Sequence, residues 1–257
     1  MRSFTVTDMQ WHAGKLYVAG VSNGTFASSL RILGTPFDGS QTVTSVAMYH
    51  TTHNQVETRA PIRAMSFQML NGRDTLVAAY LCSPIVTIPV DALKDGAHVE
   101  GKTIAELGYG DVANSMVSFS FGPPGQATPA ILLVNDQREA AVLPLSAIAD
   151  ADKQPGLDEP VPFGAVAGVA AHHLPLGGVI ALDNQNDAMF VAVRRDRPTG
   201  RLQLVSYDKT VNIRVSDYVS EYDFPDYRYT AECRVKYLKP VTDKLEAQEG
   251  FGEHAKP

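Results

Sequence analysis

Ile131-Leu132-Leu133-Val134 runs into Asn135-Asp136-Gln137-Arg138-Glu139 and then into a second apolar stretch, 140–145. An apolar run, a polar turn and another run read as a β-hairpin. The same succession occurs three more times. Leu16-Tyr17-Val18-Ala19 meets a turn at 20–25 and then 26–32. Leu76-Val77-Ala78-Ala79 meets Ser83-Pro84 and then 85–90. Val179-Ile180-Ala181-Leu182 meets Asp183-Asn184-Gln185-Asn186-Asp187 and then 188–193. The runs begin at 16, 76, 131 and 179, with spacings of 60, 55 and 48. Two units also agree in detail: Ile88-Pro89-Val90-Asp91-Ala92-Leu93 matches Leu143-Pro144-Leu145-Ser146-Ala147-Ile148, 55 residues on. The first run of each pair is apolar without alternation, which predicts a strand buried on both faces.

An earlier strand is expected before each hairpin, at 5–11, 62–69, 115–121 and 166–172. A later one follows in places, at 43–49, 103–107 and 202–207. Single helical turns fit 90–94 and 145–150. Four short strands per unit, repeated at ~50 residues, is the anatomy of propeller blades. The expectation is an all-β chain: a β-propeller of about four four-stranded antiparallel blades, near 1–55, 56–110, 111–163 and 164–210. Residues 211–257, rich in Tyr and acidic residues, read as a C-terminal extension over the blades ending in a polar tail.

Gly14-Lys15-Leu16-Tyr17-Val18-Ala19 with Ser22-Asn23-Gly24-Thr25 resembles the blades of bacterial propellers whose repeat reads roughly G-K-L-Y-V-x-N-x-x-x-N-T-V. The resemblance spans about residues 5–210. It implies a propeller related to surface proteins, lactonases or the heavy chains of periplasmic redox enzymes. The stretch 224–232 resembles linkers that follow propellers in multidomain copper or haem enzymes, but the copper and haem ligand patterns are absent here. Each blade has an apolar face that only a neighbour covers, so end blades need a cap or ring closure. An incomplete ring, completed by a protein partner or a second copy, is favoured over a closed four-bladed ring or another repeated β architecture.

Composition narrows the function classes. Hydrophobic residues at 44% and charged residues at 19% suffice for a core and exclude a disordered chain. Twenty-two basic against 28 acidic residues give −6, which argues against a nucleic-acid partner. The one basic run, Arg194, Arg195, Arg197 and Arg201, surrounds Pro198-Thr199-Gly200 and reads as a hairpin tip. No apolar run reaches ~18 residues, so no membrane span is expected. Met1-Arg2-Ser3-Phe4 leads directly into strand pattern without a leader. That fits a cytoplasmic protein, or a periplasmic or extracellular one whose leader has been removed. Cys82 and Cys233 form no CxxC. They read as inert buried thiols, with one long-range disulfide as the alternative in an oxidising compartment.

Chemistry-bearing groupings are sparse. Gly20-Val21-Ser22-Asn23-Gly24 fits G-x-S-x-G, but a strand follows where a nucleophile elbow needs a helix. Gly108-Tyr109-Gly110 lacks the third glycine of a dinucleotide loop. His50, His53 and Glu57 offer two imidazoles and a carboxylate, a donor set that suits a divalent metal. Positions three apart on a strand face opposite ways, so only a loop would bring the two histidines together. His172 and His173, with Asp183 and Asp187 in the next turn, are candidates for a catalytic site in a central tunnel. No organic cofactor is indicated. The leading expectation is a non-catalytic binding or assembly module. The alternative is an enzyme with a tunnel site, either a metal-dependent hydrolase such as a lactonase or the propeller part of a periplasmic redox enzyme.

Overall fold

A computed structural model describes residues 4–209, apart from 109, 111, 122–125, 136–137, 175 and 197. The expected extension and tail, with Cys233, lie outside the described residues. Strands take up 54% of the described residues and helix 6%, so the class is all-β.

Two of the non-alternating apolar runs form strands covered on both sides, whereas the fourth, 179–182, leaves Ala181 exposed and Ile180 half-buried. In β7 (Arg73–Tyr80), Leu76, Ala78 and Tyr80 share a core with Tyr17, Leu30 and Met48. Val77 and Ala79 point the other way and share a second core with Ile131 and Leu133. β11 (Thr128–Val134) repeats the device. Its Ile131 and Leu133 face β7, while Ala130, Leu132 and Val134 join a third core with Val179, Leu182 and Phe190. A strand buried on both faces gains nothing from polar alternation, so the sequence has none.

The first four strands are β1 (Asp8–His12), β2 (Lys15–Val21), β3 (Ser28–Gly34) and β4 (Thr42–His50), each antiparallel to the next. A short β5 (Gln55–Glu57) folds back onto the end of β4. β6 (Ile62–Leu70), β7, β8 (Pro84–Pro89) and β9 (His98–Glu106) form a second antiparallel set. These two units are not separate blades. β4 and β9 pair in parallel, Ser45 to Met48 against His98 to Gly101. The sheet then runs β1-β2-β3-β4-β9-β8-β7-β6, and β1 and β6 lie side by side. The result is a nearly closed, barrel-like sheet.

Polar contacts close the remaining seam. Asp8 Oδ2 accepts the Met65 amide at 2.8 Å, and the Thr7 hydroxyl donates to the Ile62 carbonyl. Burial pushes the Asp8 carboxyl up to about 6, overcoming the amide bonds from Met65 and Met9 that favour its charge.

Counting the two joined sets as first and second, the third sheet is β10 (Ser115–Phe121), β11, β12 (Ala140–Pro144) and β14 (His172–Leu174). The fourth is β15 (Val179–Asn184), β16 (Met189–Arg195) and β17 (Leu202–Asp208). The sequence expectation of a first strand near 166–172 in the last unit is corrected here. Residues Ala167–Gly168, β13, are taken up in pairing with β9, and 172–174 then close the third sheet as β14. β15 therefore opens the fourth sheet, and β17 is its third strand. First strands begin at 8, 62, 115 and 179, and β1, β6, β10 and β15 form a row of neighbours.

The two segments that match in sequence 55 residues apart share a local backbone feature. Pro89 (φ −62°, ψ 132°) and Pro144 (φ −60°, ψ 132°) end their strands in the same extended conformation. A 3-10 turn at Val90–Ala92 follows the first, and α1 (Leu145–Asp152) follows the second. The matched residues Leu93 and Ile148 are both buried, one in the core inside the barrel and one in the core between the second and third sheets. Both helical turns fall where the sequence predicts them.

Two outcomes are expected. Leu132→Ala removes a fully buried side chain and should cost ~2–5 kcal/mol in chemical denaturation, against under ~0.5 kcal/mol for Met69→Ala at 69% exposure. A carboxyl held above its ordinary range favours folding when protonated. Its contribution is present in full below pH 3.8 and is lost as pH rises through about 6. Wild type measured against Asp8→Asn should therefore lose ~1–3 kcal/mol of relative stability between pH 4 and pH 7. A flat difference would contradict the burial of Asp8.

Candidate functional site

Because β4 and β9 run parallel, their C-terminal ends emerge at the same end of the barrel. His50 is the last residue of β4, and Glu106 is the last of β9. Residues 51–54 make a turn in which Asn54 takes φ 49°, and β5 then returns Glu57 alongside Met48. Tyr49 Oη donates to Asn54 Oδ1 at 2.7 Å and braces the turn. This is the loop that the strand periodicity required for His50 and His53 to meet.

The two imidazoles converge on one carboxylate. Glu57 Oε1 lies 2.9 Å from His50 Nδ1 and also contacts His53 Nδ1. The ring centroids are 4.0 Å apart, inclined at 52°. The ligand-capable atoms of His50, His53 and Glu57 all fall within 4.8 Å of one another. The hydrogen bond from His50, followed by that from His53, holds the Glu57 carboxyl down to about 2. His50 is buried, Glu57 is partly buried, and His53 is 47% exposed.

A second carboxylate stands behind the cluster. Glu106 is fully buried. Its Oε2 accepts the Thr51 hydroxyl at 2.8 Å and lies 3.6 Å from His50 Nε2. Its Oε1 has no hydrogen-bond partner. A cavity of about 210 Å³ adjoins the histidines, lined also by Cys82, Ser83, Phe163 and Gly164. Cys82 holds φ 90°, unusual for a side chain with a Cβ. The expectation that it is buried does not hold: it sits at the exposed turn between β7 and β8. Enough of its thiol is enclosed for desolvation to raise it, and the charges of Glu57 and Glu106 push the same way.

Sequence reading had His50, His53 and Glu57 but missed Glu106, Thr51 and Cys82. The one signal for Glu106 is a lone carboxylate inside Thr103-Ile104-Ala105-Glu106-Leu107. The other candidates are dispersed. His172 and His173 lie on β14, the outer edge of the third sheet, paired with Val142 and Ala141 and exposed. Asp183 lies on β15 and accepts the Asn184 amide at 2.7 Å. Asp187 lines a separate groove of about 620 Å³ with Ser118, Asn184 and Lys209. Ser22 belongs to a turn between β2 and β3, with its amide bonded to Ala27. Among the described residues no helix is long and apolar enough to cross a membrane. No family model matches this chain, and no curated protein matches it.

β13 fastens the end of β9, pairing Ala167 with Glu106 and Gly168 with Ala105. Gly168 takes φ 75°, and a Cβ there would fall 2.1 Å from the Ile104 carbonyl oxygen. Gly168→Ala should detach β13, cost ~1–3 kcal/mol and speed amide exchange at Ala105 and Glu106. Unchanged protection at both amides would show that β13 does not hold this end of the site.

Proposed function

We propose that the chain is a non-catalytic assembly module, an open arc of propeller-type sheets related to the bacterial propeller repeats, completed by a second copy of itself. The carrying observation is a pair of exposed apolar patches, one at each end of the row of first strands. Asp8, Gln10 and His12 of β1 turn inward; His12 stacks on Phe67 at 4.2 Å and its Nε2 lies 2.8 Å from Asp74. Alternation sends Met9 and Trp11 outward, at 57% and 56% exposure. At the other end Phe190 and Ala192 enter the third core, so Val191 and Val193 face away, with Leu204 (76% exposed) opposite Val193.

Contiguous exposed apolar side chains on a sheet face mark an interaction surface. The two faces differ in composition and sit at opposite ends of the β1–β6–β10–β15 row, so a head-to-tail contact suits them better than a self-complementary one. Counted as four sets of strands, two of which join through β4 and β9, two copies give eight, within the range over which propeller rings close. The alternative, an enzyme with its site in the tunnel, draws no support from His172 and His173 on β14, Asp183 on β15 and Asp187 in the turn after it.

Size-exclusion chromatography with light scattering tests the reading. The wild-type chain should run at twice its own mass, and Trp11→Glu or Leu204→Glu should each give the single chain with an unchanged circular dichroism spectrum. A wild-type protein that stays monomeric at high micromolar concentration would end the proposal.

A further inference from the structure

We propose that His50, His53 and Glu57 form a binding site for a divalent transition metal of the zinc type, and that Glu106 is the positioning residue for His50. Three arguments meet here. The first is donor chemistry. Two imidazole nitrogens and one carboxylate oxygen are the ligand set of zinc, whereas calcium and magnesium take oxygen donors. One ligand-capable atom of each of His50, His53 and Glu57 lies within 4.8 Å of the others, and Glu57 Oε1 already contacts Nδ1 of both histidines. A small opening of these contacts admits an ion at bond lengths of ~2.0–2.2 Å.

The second argument is charge. Glu57 and Glu106 bring two negative charges to a pocket in which Glu106 and His50 are completely enclosed. A buried carboxylate is costly unless it is paired and hydrogen-bonded. Glu106 has one hydrogen bond, from Thr51, and an orphan oxygen. With neutral imidazoles, a divalent cation brings the cluster to zero.

The third is the order of the groups. A metal on His50 Nδ1 leaves the ring hydrogen on Nε2, the atom facing Glu106 Oε2 at 3.6 Å. Carboxylate behind histidine behind metal is the arrangement that fixes a ligand's tautomer and raises its basicity. The exposed His53 and the cavity beside Cys82 and Phe163 supply an entry path. The site lies on the barrel end, away from the terminal faces, so it stands or falls apart from the assembly proposal.

The test is calorimetric titration of chelator-treated full-length protein with Zn2+, alongside Co2+ absorption. Wild type should take up one Zn2+ per chain, show the visible bands of tetrahedral Co2+, and ignore Mg2+ and Ca2+. His53→Ala, checked for an unchanged circular dichroism spectrum, should abolish the one-to-one uptake. Glu106→Gln should keep the stoichiometry and weaken affinity by roughly 10- to 100-fold. No Zn2+ uptake by wild type, or wild-type uptake by His53→Ala, would overturn the site. Wild-type affinity in Glu106→Gln would overturn the role given to Glu106.

Discussion

The structure depends on strands that serve two cores at once. β7 and β11 give alternate side chains to the sheets on either side of them. No sheet with such a strand can be stable alone, because one face would expose Val77 and Ala79, or Leu132 and Val134, to water. Apolar surface buried between the sheets stabilises the fold by roughly 25 cal/mol per Å2. The stacked sheets, the row of first strands and the uncovered ends all follow from this sharing.

Sharing also explains the recurrent insertion after the third strand. Leu93 and Ile148 enter equivalent interfaces from turns opened by Pro89 and Pro144, which stop each strand by lacking an amide hydrogen. α1 is held by Thr87 Oγ1 donating to Asp152 Oδ1 at 2.7 Å and by Asn71 Nδ2 donating to the Ala149 carbonyl at 2.8 Å. Where the sheets open at one edge, pairing between β4 and β9 closes it, and this parallel ladder brings His50 and Glu106 together.

Hairpins and helical turns were legible because each rests on local pattern: apolar runs, and Gly and Pro punctuation. The β4–β9 ladder was not, since parallel pairing between residues 45–48 and 98–101 leaves no turn signal in the sequence. The last unit was misaligned for a related reason. Residues 166–172 look like one strand, but Ala167 and Gly168 pair with β9 of an earlier unit while His172 pairs with β12, and Gly168 permits the close approach. For the candidate site, the proximity of His50 and His53 in sequence was readable. The buried carboxylate behind them, 49 positions from Glu57, was not, because its neighbourhood exists only after the two sheets meet.

Native-state hydrogen exchange measures the central claim most directly. If β7 and β11 each complete two cores, their amides exchange only on global opening, and the midsections of the first three sheets share one opening free energy. Independent exchange of β10, β11 and β12 at a much lower free energy than β6, β7 and β8 would contradict the account, because the sheets would then be separate units that merely touch.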